Sequence, residues 1–349
     1  MQSYKKNIIS NSLFIIIFYL CDVNEPKILI IKKSKDLPEL DSSNFFHSRQ
    51  YFEIAKQTPR QKPFMVAALT ADGRTMAHML GIVRYRSSLL PPYLYMHCRI
   101  LGEGVYSYPH DGYTDNELFG MMVEALRNRL GNGVLYIEIS NLSQKMFGYK
   151  ELRQRQFFPV HWMSIHNSLH SHTPEERISE RLKKHINNAY AKGVVTDEVK
   201  NETDFQSFIK LLKHHHWLKP KRYIPDEKFF SAIQHEGHGR LYLTRYHDHV
   251  IGCSAVAYSQ QNAYLWYTAF RRKSFAFLHP DELTLWHAIK DAHTRGYQHI
   301  CFLDVGLPFS HNSFREFILR FGGKPVSTYR WFRCSISWIN ALLSWIYRE

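Results

Sequence analysis

Apolar residues along this chain fall into short strand-like runs and longer helix-like stretches whose order is repeated in its two halves. In the first half, Phe64 to Leu69 predicts a strand, Ala71-Asp72-Gly73-Arg74 a tight turn, and Met76 to Tyr85 the returning strand. A helix from about Asp115 to Leu130 follows, stops at Gly131, and leads into a strand over Val134 to Ile139. In the second half, Arg240 to Arg245, Val250 to Tyr258 and Ala263 to Phe270 predict three strands, with His247-Asp248-His249 as the first turn. A helix from about Asp281 to Arg295 then stops at Gly296, before an apolar run over Ile300 to Gly306. Two copies half a chain apart point to duplicated domains and not to a solenoid of short repeats.

The junction lies between these copies. Strands around Phe157 to Ile165 close a first unit of residues 27–170, and Thr173-Pro174-Glu175-Glu176 has the form of a helix start. This pattern predicts a helix continuing to Lys192, ended by Gly193, with a basic surface of Arg177, Arg181, Lys183, Lys184 and His185. Glu202 to Trp217 predicts a second helix, with Phe205, Phe208, Ile209, Leu211 and Leu212 on its core side, and a third starts near Pro225-Asp226. The second unit spans residues 171–333, and residues 334–349 predict an amphipathic helix. The fold class expected is α/β.

With 349 residues, 44% of them hydrophobic and 15% aromatic, the chain can bury two substantial cores. A net charge of +14 calls for an acidic partner: coenzyme A phosphates, a transfer RNA or an anionic membrane surface, with a solvated basic face as the plain alternative. Cys21, Cys98, Cys253, Cys301 and Cys334 are odd in number and show no paired spacing, so they are expected to be reduced thiols of a cytoplasmic protein. Lys5-Lys6 and the apolar run Leu13 to Leu20 have the order of a secretory signal, but the run falls far short of the roughly 20 residues that span a bilayer and no small-residue cleavage site precedes Cys21. Residues 1–26 are therefore expected to be an extension, or the result of an early start codon, and clear structure to begin near Lys27.

Four segments carry a further pattern: Asn188 to Val194, Tyr264-Leu265-Trp266-Tyr267-Thr268-Ala269, Gly296 with Phe302-Leu303-Asp304-Val305-Gly306, and Phe314 to Phe317 continuing through Arg320-Phe321-Gly322-Gly323-Lys324-Pro325. With these the second half resembles the Fem-type branch of the GCN5-related N-acetyltransferase (GNAT) superfamily: peptidoglycan-bridge aminoacyltransferases and acetyltransferase relatives associated with exopolysaccharide loci. In order and spacing the pattern covers about Phe45 to Phe332. It implies tandem GNAT domains, each a mixed, mostly antiparallel sheet flanked by helices, with the donor in an opening where two strands splay apart. It also implies acyl transfer from an acyl-CoA, foremost acetyl-CoA, to an amino sugar or a lipid-linked envelope precursor. Relatives of this type leave open aminoacyl-tRNA or an acyl carrier protein as donor. A glycine-bearing loop normally cradles the pyrophosphate of coenzyme A. Here the corresponding run, Arg271 to Pro280, has none.

Acyl transfer needs a proton acceptor, a proton donor and dipoles for the oxyanion, and no covalent nucleophile. Asp304, at the end of a central strand, is the candidate base and Tyr267 the candidate acid; the plain readings are a helix cap or Arg315 partner, and a cross-strand filler. Arg271, Arg272, Lys273, Arg320 and Lys324 could surround phosphates, and the resemblance places Lys221, Arg222, Tyr223 and Trp266 at the acceptor. Glu282, at a helix start, is read as a dipole partner. His214-His215-His216 does not predict a metal site, because consecutive residues of a helix point about 100 degrees apart. HExxH, paired CxxC, nucleophile-elbow and phosphate-loop motifs are missing from the sequence, which disfavours metalloenzymes, serine hydrolases and kinases. The tail from Ser335 to Tyr347, flanked by Arg330, Arg333 and Arg348, suits a membrane interface, a domain contact or a dimer. A non-catalytic module that binds RNA or an acyl carrier is the alternative outside enzymology.

Overall fold

The computed structural model describes residues 25–87, 92–110, 112–216, 223–303, 305, 307 and 311–347. Its first half runs β1 (Lys27–Ile31), α1 (Arg49–Gln57), β2 (Gln61–Leu69), β3 (Thr75–Ser87), β4 (Leu94–Leu101), β5 (Val105–Tyr106), α2 (Asp115–Leu130), β6 (Tyr136–Ser140), α3 (Tyr149–Gln154) and β7 (Phe158–Ser168). The second half runs α4 (Glu180–Ala191), β8 (Val194–Glu198), α5 (Glu202–His216), α6 (Glu227–His235), β9 (Gly239–Tyr246), β10 (His249–Ser259), β11 (Asn262–Phe270), α7 (Pro280–Thr294), β12 (His299–Phe302), α8 (Ser313–Leu319), β13 (Lys324–Cys334) and α9 (Ser337–Ile346). The α/β architecture expected from the sequence is present.

All the strands join one sheet in the order β1-β2-β3-β4-β6-β13-β7-β12-β11-β10-β9-β8, with β5 on β3. The pairs β4/β6 and β11/β12 are parallel and the rest antiparallel. The middle of the sheet interleaves the halves. β13, from the end of the chain, lies between β6 and β7, both from the first half, while β7 pairs on its other edge with β12 of the second half. The division at residue 170 is therefore proposed as the boundary of a repeat; the sheet itself runs through it.

Alternation along the strands sorts the two faces. On one face, Ile137 and Ile139 of β6 with Tyr329 and Trp331 of β13 pack under α2 and α3, and Ile165 of β7 packs with α4 and α7. On the other, α1, α5 and α6 share a core that draws Phe46, Tyr51 and Leu101 from the first half and Phe229, Trp266 and Leu303 from the second.

One predicted helix is divided. Thr173 and Glu176 do form a capping box, but over a single short turn, Pro174–Arg177; Ile178 is extended and buried, and Ser179 caps α4 afresh. Burial of Ile178 in the core beside α4 and α7 outweighs continuation of the helix. The predicted phosphate cation Lys324 begins β13, directly after the glycine turn in which Gly322 takes φ +83°.

Candidate active-site cleft

β11 and β12 run side by side from Asn262/His299 to Leu265/Phe302; there β12 ends while β11 continues to Phe270. At the same point the β10/β11 ladder bulges, because Ala255 faces Tyr267 while Val256 faces Leu265 and Trp266 is the extra residue. The strands part here. The first half repeats the arrangement: β4 and β6 are parallel as far as Leu101/Ser140, after which Gly102 turns the chain away with φ +103°.

Between the ends of β6 and β12 lies a cavity of about 80 Å³, with Ser140, Asn141 and Leu303 on its walls and Trp162, Ser164, Thr328 and Arg330 from β7 and β13 among its lining. Behind two of its lining residues Glu138 is buried and ion-paired to Arg99 at 3.4 Å and Arg330 at 3.2 Å. The Arg330 guanidinium also stacks on Trp162, 3.8 Å from the ring centre. The positive row continues along β3 and β4. Arg84 is buried, shares a hydrogen bond with the Tyr51 hydroxyl and lies over Tyr223, and its Nε has no hydrogen-bond partner among the described residues. Burial first, then Arg84, Arg86 and Arg99, lower the pKa of His97 to about 2, so this imidazole is neutral. Arg99 and Arg330 thus share Glu138, while Arg84 and Arg86 stand farther along the same face, Arg86 hydrogen-bonded to Tyr136. Cys301 lines the same cavity, but burial pushes its thiol up to about 12, so it is no thiolate nucleophile near neutral pH.

The residues predicted from the sequence distribute differently. Tyr267 and Trp266 are both buried in the shared aromatic core, Tyr267 edge-on to Phe230, and Trp266 edge-on to Phe46 and Phe229. Tyr223 is half-buried, its hydroxyl accepting from Gln61 at 3.1 Å and its ring beneath Arg84. Asp304, Lys221 and Arg222 lie outside the described residues; Asp304 follows Leu303 of the cavity wall. Arg271 and Lys273 are exposed. Arg99, Glu138 and Trp162 escaped the sequence reading, which took Arg330 only as a flank of the tail. Their one signal is period-two alternation of polar with apolar residues within strands, as in Tyr136-Ile137-Glu138-Ile139-Ser140.

Arg272 and Arg320 do converge, but on acids. At the first turn of α7, Arg272 meets Asp281 at 3.2 Å and Arg320 meets Glu282 at 2.7 Å, and both carboxylates are buried. His185 adds a contact to Glu282 at 3.0 Å. The helix dipole and its cations are therefore already balanced by this chain's own carboxylates. A pyrophosphate at this turn would face Glu282. α2 is closed in a similar way, by the capping box of Thr114 and Glu117. The residues present at either helix start do not fit the diphosphate of coenzyme A. Calorimetric titration with acetyl-CoA is thus expected to give no saturable heat, and Glu282→Ala, which frees Arg320, to gain weak binding; micromolar binding by the unaltered protein would contradict this. His185, His279 and Glu282 place possible ligand atoms within 4.8 Å of one another. The two imidazoles stack 5° from parallel with centroids 4.1 Å apart, so their in-plane lone pairs do not converge on one ion. His215 and His216 bond instead to the carbonyls of Phe270 and Thr268, fastening α5 to the end of β11.

Residues 177–310 match the family model described as an acetyltransferase (GNAT) domain. No curated protein matches the chain. Among solved structures, the chain is similar to FemX at 12% identity and a TM-score of 0.59, with 89% of this chain and 96% of that one covered. It is also similar to the L-PGS of Bacillus licheniformis at 10% identity and a TM-score of 0.55, with coverage of 85% and 93%. A tandem GNAT protein from the clavulanic acid biosynthesis pathway, at 12% identity and a TM-score of 0.55, is covered over 99% of its length by 89% of this chain. At such identities these structures establish a shared fold.

Proposed function

We propose that this chain, a member of the GNAT superfamily with a Fem-type tandem fold, is an acyltransferase whose central cleft holds an anionic acceptor. The observation that carries the reading is the cavity between the ends of β6 and β12, beside the parted strands, which Arg99, Arg330 and Trp162 line together. Arginine forks suit phosphate and carboxylate, and Trp162 gives a flat platform beside them. An amino sugar or a lipid-linked envelope precursor bearing phosphate has that chemistry. Because Glu282 fills the first turn of α7, the donor is inferred to be an acyl group on transfer RNA or on a carrier protein in preference to acyl-CoA. The net charge of +14 supports a polyanionic donor.

In this reading the acceptor amine or hydroxyl attacks the acyl carbonyl. Its proton passes to the Asp304 carboxylate, which hands it on to the leaving oxygen or sulfur as that atom's bond to the carbonyl carbon breaks, so the atom departs as a neutral hydroxyl or thiol and the carboxylate is restored. Asp304 is proposed for this role because it follows directly in sequence on Leu303, which lines the cavity just past the end of β12. The test is a labelled-transfer assay with aminoacyl-tRNA and acetyl-CoA as separate donors and phosphatidylglycerol or a nucleotide amino sugar as acceptor. Label is expected on an acceptor from aminoacyl-tRNA. Asp304→Asn should then lower kcat by about 100-fold at unchanged KM. Arg330→Gln should raise the acceptor KM by about tenfold. No transfer from either donor, or an unaffected Asp304→Asn variant, overturns the proposal.

A further inference from the structure

α9 turns a strongly apolar face outward. Its polar Asn340 faces inward, 7% exposed, accepting from the Cys334 amide at 2.8 Å and donating to the Gln156 carbonyl at 3.0 Å. Its outward face carries Trp338, Leu342, Trp345 and Ile346, at the spacing of one helical side, with Trp338 69% and Trp345 65% exposed. Cys334 to Tyr347 contains no charged residue. A helix that packs on a domain in water turns a polar face outward.

A second apolar feature sits at the same end of the sheet. Cys334 pairs with Tyr136, the Ser335 amide donates to Leu135, and the Leu135 amide donates to Met96 near the start of β4. β4 begins with Leu94, 80% exposed beside the exposed Tyr93, and pairs there with Ser87 of β3. The surroundings are basic. The Ser335 hydroxyl bonds to Gly131 and Val134 just past α2, whose last turn holds Arg127 and Arg129. Arg333 precedes α9, and Arg153 is exposed one turn before Gln156. Glu124 takes up part of this charge, meeting Arg127 at 3.6 Å and Arg155 at 3.1 Å.

We infer that this end of the sheet, α9 together with Tyr93 and Leu94, docks on the interface of an anionic bilayer. Tryptophans at the depth of the headgroups, with arginines around them, are the composition that such an interface selects. A second copy of the chain fits less well, since a two-fold contact through α9 would bring the arginines of both copies toward each other. Among the described residues no helix is long and apolar enough to cross a membrane, so the contact is peripheral. The inference goes beyond acyl transfer and can fail independently of it.

The test is co-sedimentation of the full chain with phosphatidylcholine vesicles, with and without about one third phosphatidylglycerol. Binding to the anionic vesicles is expected to be at least tenfold tighter, and to weaken as salt rises from about 0.1 M to about 0.5 M. The exposed double substitution Trp338→Ser/Trp345→Ser should lose binding at least tenfold, with an unchanged circular dichroism spectrum and an unchanged mass by light scattering. Equal sedimentation of the variant and the parent overturns the inference. So does a parent dimer that the double substitution splits while neither protein binds vesicles.

Discussion

Trp331→Ala is expected to lower the unfolding free energy by about 3–5 kcal/mol. The indole is fully buried, edge-on to Tyr149 and within 5.9 Å of Tyr329, in the core that also holds Leu118, Phe119 and Leu126 of α2. Trp331 reaches this core from the last strand of the chain. β13 places Tyr329 and Trp331 into the first half's core while Thr328 and Arg330, on alternate positions, line the cleft, so one strand serves packing and site. The aromatic core on the other face also draws on both halves: Phe46 meets Tyr264 and Trp266, and the Phe45 amide donates to the Ser259 hydroxyl at 3.0 Å. The halves should therefore unfold together. Urea titration of the variant, followed by tryptophan fluorescence and by far-UV circular dichroism, should show one coincident transition moved to lower denaturant. Two transitions, with only the earlier one moved, would show that the repeats are independent domains and that β13 adds little to their coupling.

The elements legible in the sequence were those whose apolar residues repeat at a clean period and end at strong punctuation. α2 has Thr114 before it and Gly131 after it, and its bounds match the expected Asp115 to Leu130. The second-half strands read as apolar runs because both their faces are covered, by α7 on one side and by α5 and α6 on the other. β4 and β13 escaped for the converse reason. Leu94-Tyr95-Met96-His97-Cys98-Arg99 and Ser327-Thr328-Tyr329-Arg330-Trp331 carry polar side chains toward the cleft, so the alternation that marks a half-buried strand is filled by His, Arg and Thr. The residues that form the candidate site thus hid the strands that carry them. The sequence did register the missing glycines of the loop before α7, and the buried Asp281 and Glu282 supply their structural counterpart. What it could not show is that Glu282 meets Arg320, which lies on another element far along the chain, or that the last strand crosses into the first half. Both are long-range pairings, and local periodicity carries no information about them.

Stability should fall steeply as the solution is acidified below about pH 6.5, because three fully or nearly fully buried histidines are held neutral. Burial lowers the pKa of His47 to about 3, that of His78 to about 4 and that of His97 to about 2, with the neighbouring arginines adding to the shift of His97. The sign follows from proton counting. In the unfolded chain each imidazole titrates near 6.5, so between that value and the folded one the unfolded state holds more protons, and acid draws the equilibrium toward it. Each pH unit in this window is worth about 1.4 kcal/mol per histidine, so lowering the pH from 7 to 5 should cost on the order of 5 kcal/mol for the three together. His47 shows what protonation would break. Its Nδ1 accepts from the Leu80 amide at 3.0 Å, a bond that binds the short turn before α1 to β3 and that an imidazolium cannot make. Urea titrations at closely spaced pH values would give the slope directly. His47→Gln, which keeps an acceptor and cannot titrate, should flatten it by about one third. A stability unchanged from pH 7 to pH 5 would mean that these imidazoles find proton acceptors on folding, and that the polar floor beneath the cleft is more open to water than its burial implies.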